Sequence, residues 1–410
     1  MVAIFADTDK MKNHIFLFFL ALVLAFALLP KSAPALEYVR FIHQGKEQNE
    51  EGRVTLEGRH EFGFESRDGQ FYTFVANPPE NVRGKRNVVA VENILTRSRD
   101  DTPFVPYTKA EMLERLKVEF PTNDYHFLDI PPFIVVYTTS NAFANWHGSL
   151  LRKVHTEYVS HWRRLGVPLT APEFPLVVIM LSSEARYRQY AQQEGISLFP
   201  EQRAYYHILM NRIVMYDMTG QQAFREGDQR RINPNDRQNF LANPNNIMTV
   251  VHEAVHLVGF NTGMHPRHAP NPYWLYEGLA VVHEVPDPRH SSGWTLGRPH
   301  VNRPRLDQLR QYFNRPHPES PIQRIQKMLQ EDQLFTTPAT ALDNYALAWG
   351  VTYYLVRQRP KEFAAYLQIL QEKTPLSRDT ADIRLKEFES VFGSDWNAFE
   401  HDFRIFISRQ

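Results

Sequence analysis

The chain contains no cysteine. This absence excludes disulfide bonds, thiolate catalysis and metal sites with cysteine ligands. The fold must therefore depend on its apolar core, together with any metal ion that the protein binds. Apolar residues make up 43% of the 410 residues, which is ample for a core.

An excess of charge of either sign is also lacking. The 46 lysines and arginines equal the 46 aspartates and glutamates, and no long run of like charge interrupts the sequence. A basic face for phosphate backbones is therefore not indicated, and we expect no nucleic-acid partner. The length allows about two or three globular domains.

No long membrane span is evident at the N-terminus. The apolar run from Ile15 to Leu29 is shorter than the roughly 20 residues that cross a bilayer. Lys10 and Lys12 precede this run, and the segment 33–35, Ala-Pro-Ala, offers a cleavage site. We expect residues 1–35 to be a signal peptide cleaved after Ala35, which predicts an exported protein. A membrane contact is expected only if this segment stays uncleaved.

The most informative motif is His-Glu-x-x-His at residues 252–256, within an otherwise apolar stretch. On a helix, His252 and His256 lie on one face about 5 to 6 Å apart, so both can bind one ion. Glu253 lies about 100° further round, where it can reach a water molecule at the metal as a general base. The alternative is a buried helix with two hydrogen-bonded histidines, but burying these groups without a partner would be costly.

A catalytic zinc site needs a third protein ligand and an open fourth position. Thr262 stands where a metzincin has histidine, so that pattern is not met. A second helix is predicted further on, with Asn271 as its N-cap and Pro272 at its first position. Glu277 falls in the second turn of this helix, and Gly278 predicts close packing against the metal helix.

The segment 274–280, Trp-Leu-Tyr-Glu-Gly-Leu-Ala, resembles the third-ligand segment of gluzincin zinc metallopeptidases. The resemblance implies Zn²⁺ held by His252, His256 and Glu277. It further implies hydrolysis of peptide or protein substrates with Glu253 as the base. Two alternatives remain open, namely a non-catalytic binding module with the same fold and a zinc hydrolase of a non-peptide amide.

A tyrosine in the C-terminal part extends this resemblance. In aminopeptidase gluzincins, a later helix carries a tyrosine that supports the transition state, and the segment 345–355 is similar in composition and position. This implies a catalytic role for Tyr345, although Leu347 and Ala348 replace the lysine and glycine favoured there. Alternatively, Tyr345 and Trp349 form an i, i+4 core stripe. No Gly-Ala-Met-Glu-Asn segment is present, so recognition of a free N-terminus is not indicated.

The pattern of strands and helices predicts an α+β fold with a mixed sheet packed on helices. We expect a small β-rich module at 36–100, a zincin-like domain at 125–300 and a helical domain at 301–410. The segment 205–217 is predicted to be either a sheet edge beside the metal cleft or an ordinary core strand. Polar loops at 221–246 and 286–304 are expected to form the cleft rim.

Other polar residues near the motif are assigned by elimination. We expect four histidines to be surface or supporting groups rather than ligands: His265, His268, His283 and His290. Glu284 lies seven residues after Glu277, on the same helix face, where it is placed to orient a ligand imidazole. No feature of the sequence indicates an oligomeric state.

Overall fold

The computed structural model describes residues 34–43, 45–78, 88–200, 202–218, 244–287, 289–296 and 300–410. Within these ranges the chain forms two sheets and eleven helices, which confirms the predicted α+β class. The expected signal peptide, apart from its last two residues, and nearly all of the loop 221–246 lie outside the described residues. No helix in the described ranges is long and apolar enough to cross a membrane.

The first sheet contains six strands in the order β5-β4-β3-β2-β1-β6. Their bounds are β1 Ala35–His43, β2 Lys46–Glu57, β3 Glu61–Ser66, β4 Phe71–Val75, β5 Val88–Ala90 and β6 Ile94–Pro103. All neighbours are antiparallel except β4 and β5. Alternate residues such as Phe41, Phe62 and Phe74 cluster on one buried face, as the period of two along a strand requires.

The second sheet contains five strands in the order β10-β11-β9-β8-β7. Their bounds are β7 His126–Ile130, β8 Phe133–Tyr137, β9 Leu176–Leu181, β10 Ala204–His207 and β11 Arg212–Tyr216. The inner pairs β8/β9 and β9/β11 are parallel, whereas β7 and β10 join antiparallel at the two edges.

Helices cover both faces of this sheet. One face packs on α1 (Lys109–Glu119) and α3 (Glu184–Gln193), and the other on α2 (Asn141–Arg164) and α4 (Pro244–Asn261). Every residue of β8 and β9 is buried, as expected for parallel strands between two helical layers.

The expected strand at 205–217 is a hairpin. Its first part, β10, is the sheet edge, and its second part, β11, lies inside the sheet. The turn at 208–211 separates them, and Asn211 adopts φ +51° within it. The prediction of a sheet edge therefore describes β10, and the prediction of a core strand describes β11.

Helices dominate the described residues after Pro272. Their bounds are α5 Tyr273–His283, α6 Arg303–Asn314, α7 Pro321–Gln330, α8 Pro338–Gln358, α9 Pro360–Gln371, α10 Ala381–Phe392 and α11 Trp396–Ser408. Their apolar residues belong to the same core cluster as those of α2 and α4. Of these helices, α8 packs directly on α5, the helix that carries Glu277.

Gly278 faces a different neighbour from the one predicted. A Cβ at this position would lie 2.2 Å from Thr352 Oγ1 and 3.0 Å from the Ala348 carbonyl oxygen. Both residues belong to α8, so the expectation that the missing side chain of Gly278 faces the metal helix is wrong. The missing side chain instead lets α5 approach α8.

Candidate metal centre

The apolar residues of α4 determine which way its polar face points. Its apolar residues between 250 and 258 are all buried: Val250, Val251, Ala254, Val255, Leu257 and Val258. The helix therefore runs through the core, and burial of this surface fixes its rotation. His252, Glu253 and His256 are left facing α5 and β10.

The motif histidines and Glu277 converge on one point. His252 Nε2 lies 3.1 Å from His256 Nε2 and 3.2 Å from Glu277 Oε2. His256 Nε2 lies 3.6 Å from Glu277 Oε1. A tetrahedral ion with bonds of about 2.0 to 2.1 Å separates its ligand atoms by about 3.3 Å. The three side chains are therefore spaced to bind a single metal ion.

The chemistry of these donors also fits a metal ion. Glu277 Oε2 is buried, and although His252 Nε2 lies 3.2 Å away, no hydrogen bond of ordinary geometry reaches this oxygen in the described part of the chain. Two imidazole nitrogens and a carboxylate oxygen are ligands that Zn²⁺ commonly takes. A cation among them would satisfy the carboxylate oxygen and the facing nitrogen lone pairs together.

The charged groups of the site shift one another's pKa values. Burial disfavours the Glu277 carboxylate, but His256 and His252 outweigh this effect and hold the pKa of Glu277 well below its usual range. Burial also disfavours a charged His252, but Glu277 and Glu284 raise the pKa of His252 well above its ordinary value. The site therefore attracts positive charge, which a bound cation would supply in place of a proton.

Glu253 lies beside the ligand group but does not belong to it. Its Oε2 accepts a hydrogen bond from the Tyr206 N–H of β10 at 2.7 Å. Burial raises the pKa of Glu253, although the neighbouring charges of His252 and His256 oppose that rise. The carboxylate is thus fixed in place and shifted toward the range in which a general base operates.

Glu284 contacts a ligand histidine, as its position after Glu277 suggested. Its Oε2 lies 2.8 Å from His252 Nδ1, and its Oε1 accepts a hydrogen bond from Asn302 Nδ2 at 3.1 Å. Asn302 also caps α6 by accepting from the Arg305 N–H at 3.3 Å. This chain of contacts fixes the ring orientation of His252.

The start of α5 differs from the prediction. The helix begins at Tyr273, and Asn271 does not cap it, since its amide donates to the Pro266 carbonyl at 2.7 Å. The cap is supplied by Asp332, whose Oδ1 accepts from the Tyr273 N–H at 2.8 Å. The N-cap assignment of Asn271 is therefore wrong, because a carboxylate distant in sequence takes that place.

Tyr345 lies within the electrostatic influence of Glu277. Burial raises the pKa of its hydroxyl far above the usual range, and the charges of Glu277 and Tyr273 add to this rise. Its ring packs edge-on against Phe335, and the Arg305 guanidinium lies 5.5 Å from the ring centroid. Tyr345 thus has a packed ring, and the charges of Glu277 and Glu253 act on its hydroxyl.

The remaining histidines do not join the ligand group. His265 and His283 are buried and His268 is partly buried, rather than on the surface, and burial lowers the pKa of each. His268 stacks on Phe71 of the first sheet at 3.8 Å between centroids. His290 contacts Lys153 at 3.1 Å.

Sequence reasoning missed Tyr206, Asn302 and Asp332. Tyr206 contacts Glu253 through its backbone N–H, a group that almost every residue type has, so the sequence could not indicate it. The sequence around Asn302 is typical of a helix N-cap but does not indicate the contact with Glu284. Nothing in the sequence indicates that Asp332 lies near α5.

Fold and site together define an α+β protein with a largely buried His-His-Glu group able to hold a metal ion. Residues 246–377 are similar to a family described as a protein of unknown function, DUF1570. That segment contains the three potential ligands, Glu253 and Tyr345. No curated protein matches the chain.

Proposed function

We propose that this protein is an exported zinc metallopeptidase of the gluzincin type, which hydrolyses peptide bonds. The observation that carries the proposal is the Glu253 carboxylate, held by the Tyr206 N–H at 2.7 Å beside the three potential ligands and outside their group. A structural zinc site is closed by four protein ligands and has no need of such a base.

Zinc held by His252, His256 and Glu277 would polarise a carbonyl group and lower the pKa of a water molecule toward about 7. Glu253 takes a proton from the attacking water and delivers it to the leaving amine. The Tyr206 N–H fixes Oε2, so Oε1 is the oxygen that exchanges the proton. Glu284 meanwhile keeps His252 oriented through Nδ1.

The edge strand suggests how a peptide would bind. β10 pairs with β11 on one side, and on its other side Tyr206 faces Glu253. An extended peptide pairing with this outer edge would run past the metal group, since main-chain pairing to an open edge is a common mode of peptide recognition. The Tyr345 hydroxyl would then donate a hydrogen bond to the carbonyl oxygen as negative charge develops there.

The test combines metal analysis with cleavage of a peptide library by wild type and Glu253→Gln. The substitution keeps the size of the side chain and leaves all three ligands, so zinc content should stay near that of wild type. Hydrolysis should fall by about 10² to 10⁴, the usual contribution of a positioned acid or base. Equal activity in the two proteins would contradict the proposed role of Glu253, and a wild type that binds zinc without cleaving would favour a binding module.

A further inference from the structure

We infer that the N-terminal sheet positions the general base by bracing the β10–β11 hairpin that holds Glu253. The bracing surface is the turn between β3 and β4, residues 66–70, and its main side-chain link is Arg267. The catalytic consequence rests on the proposed function, whereas the bracing itself is a property of the fold.

The β3–β4 turn is closed by hydrogen bonds among its own residues. The Ser66 N–H donates to the Gln70 carbonyl at 2.9 Å, and Asp68 Oδ1 accepts from Ser66 Oγ at 2.6 Å and from the Gln70 N–H at 3.1 Å. Gly69 adopts φ +83°, and a Cβ there would lie 2.9 Å from the Phe174 ring and 3.2 Å from Asn211 Nδ2. A preformed turn is therefore inserted tightly against the hairpin.

Two sets of contacts join this turn to the hairpin. The Phe71 N–H, at the start of β4, donates to the Leu209 carbonyl at 2.8 Å. Arg267 Nη2 donates to the Gly69 carbonyl at 2.6 Å and to the Ile208 carbonyl at 3.3 Å. The guanidinium thus bridges the two turns, and its Nη1 pairs with Glu65 of β3 at 3.1 Å.

The hairpin in turn contacts α4, the helix that holds His252 and His256. Asn211 and Asn261, at the end of α4, exchange amide hydrogen bonds of 2.8 and 2.7 Å. The Tyr206 hydroxyl donates to Asn211 Oδ1 at 2.9 Å, while its N–H holds Glu253. A four-residue edge strand has few ladder bonds of its own, so its position depends on these contacts at the turn.

Arg267 is on this basis a positioning residue. It contacts the hairpin turn and not Glu253 or the potential metal ligands. Arg53 provides a matched control, because it also pairs with Glu65, at 2.8 Å, and lies at a similar distance from the Phe174 ring, 5.8 against 5.7 Å. Its other partner is Glu173, which lies outside the hairpin.

The experiment compares full-length wild type, Arg267→Met and Arg53→Met. Amide hydrogen exchange in residues 204–211 measures the bracing, and steady-state kinetics measure its effect on turnover. Arg267→Met should accelerate exchange there about tenfold or more, because opening of the hairpin costs less. It should lower kcat about tenfold with KM little changed, since misplacing a catalytic group weakens the chemical step.

Arg53→Met should lower the melting temperature but leave exchange in 204–211 and kcat near wild type. Arg267→Lys keeps the Glu65 pair with fewer donors, so it should give smaller changes of the same kind and serves if Arg267→Met does not fold. Equal exchange in Arg267→Met and wild type would overturn the bracing, and faster exchange with unchanged kcat would overturn the positioning. A wild type that cleaves no peptide contradicts the proposed function, and the exchange data still decide the bracing.

Discussion

Asp332 caps the helix that carries Glu277, because its carboxylate accepts the Tyr273 N–H at 2.8 Å across 59 residues of sequence. Arg384 holds the other carboxylate oxygen at 2.7 Å. At the opposite end of the same helix, Asn302 binds Glu284, and in the middle Gly278 meets α8. The C-terminal helices thus fix both the position and the rotation of the glutamate ligand.

Removing this cap should therefore weaken the fold and the metal site together. Asp332→Ala deletes the acceptor for the Tyr273 N–H, and loss of a helix N-cap costs about 0.5 to 2 kcal/mol of unfolding free energy. We expect lower stability in urea and weaker zinc binding in a chelator competition. Asp332→Asn keeps an acceptor oxygen and should behave closer to wild type, so equal losses in both variants would contradict the capping role.

The ligand set is tested by Glu277→Ala. With only two imidazoles left, the purified protein should lose most of its zinc, because a catalytic zinc site requires three protein ligands. His265→Ala and His268→Ala alter histidines that follow the motif helix but lie outside the group, and their zinc content should stay near that of wild type. Full zinc retention in Glu277→Ala, measured by elemental analysis, would rule out the gluzincin assignment.

The sequence predicted the parts of this site that local periodicity encodes. The apolar stripe of α4 brings His252 and His256 onto one face whatever surrounds them, and Glu284 follows Glu277 by two helical turns. The position of Glu277 itself came from a resemblance to known metallopeptidases. The structure brings all of these side chains to one place.

Contacts between distant segments were not predictable in this way. Asp332 replaces Asn271 as a cap because tertiary packing brings a carboxylate to the N-terminus of α5. A glycine in a sequence indicates a close approach but not the partner, so Gly278 was assigned to the wrong neighbouring helix. The strand expected at 205–217 folds as a hairpin because the turn at 208–211 is stabilised by the first sheet and α4.

Stability should depend on pH through Glu50, which lies far from the metal group. This carboxyl is buried on β2 beside Arg115 at 2.5 Å, and burial raises its pKa to about 7, with the nearby Asp68 charge adding to the rise. The folded protein thus holds this proton more tightly than the unfolded chain does. The resulting stabilisation is complete below about pH 4.5 and is lost as the pH rises through about 7.

Glu50→Gln should remove this dependence. Between pH 5.5 and 8, the variant should lose less unfolding free energy than wild type, by up to about 2 kcal/mol. Urea denaturation at the two pH values measures the difference. Glu51→Gln removes the adjacent, partly exposed carboxylate that pairs with Arg67 at 3.1 Å and serves as the charge-matched control. Identical pH dependence in Glu50→Gln and wild type would contradict the raised pKa.

Tyr345 can act either on the reaction or only in packing, and removal of its hydroxyl separates the two. If the hydroxyl donates to the developing oxyanion, Tyr345→Phe should lower kcat and kcat/KM together by about 10² to 10³, with KM little changed. The ring remains, so its contact with Phe335 survives. If Tyr345 only packs, the loss of a hydrogen bond made by its hydroxyl should cost about 1 kcal/mol of stability and leave kcat intact. Melting temperature and kcat measured on the same variant decide between these outcomes, and an unchanged kcat with a lower melting temperature assigns Tyr345 to the core.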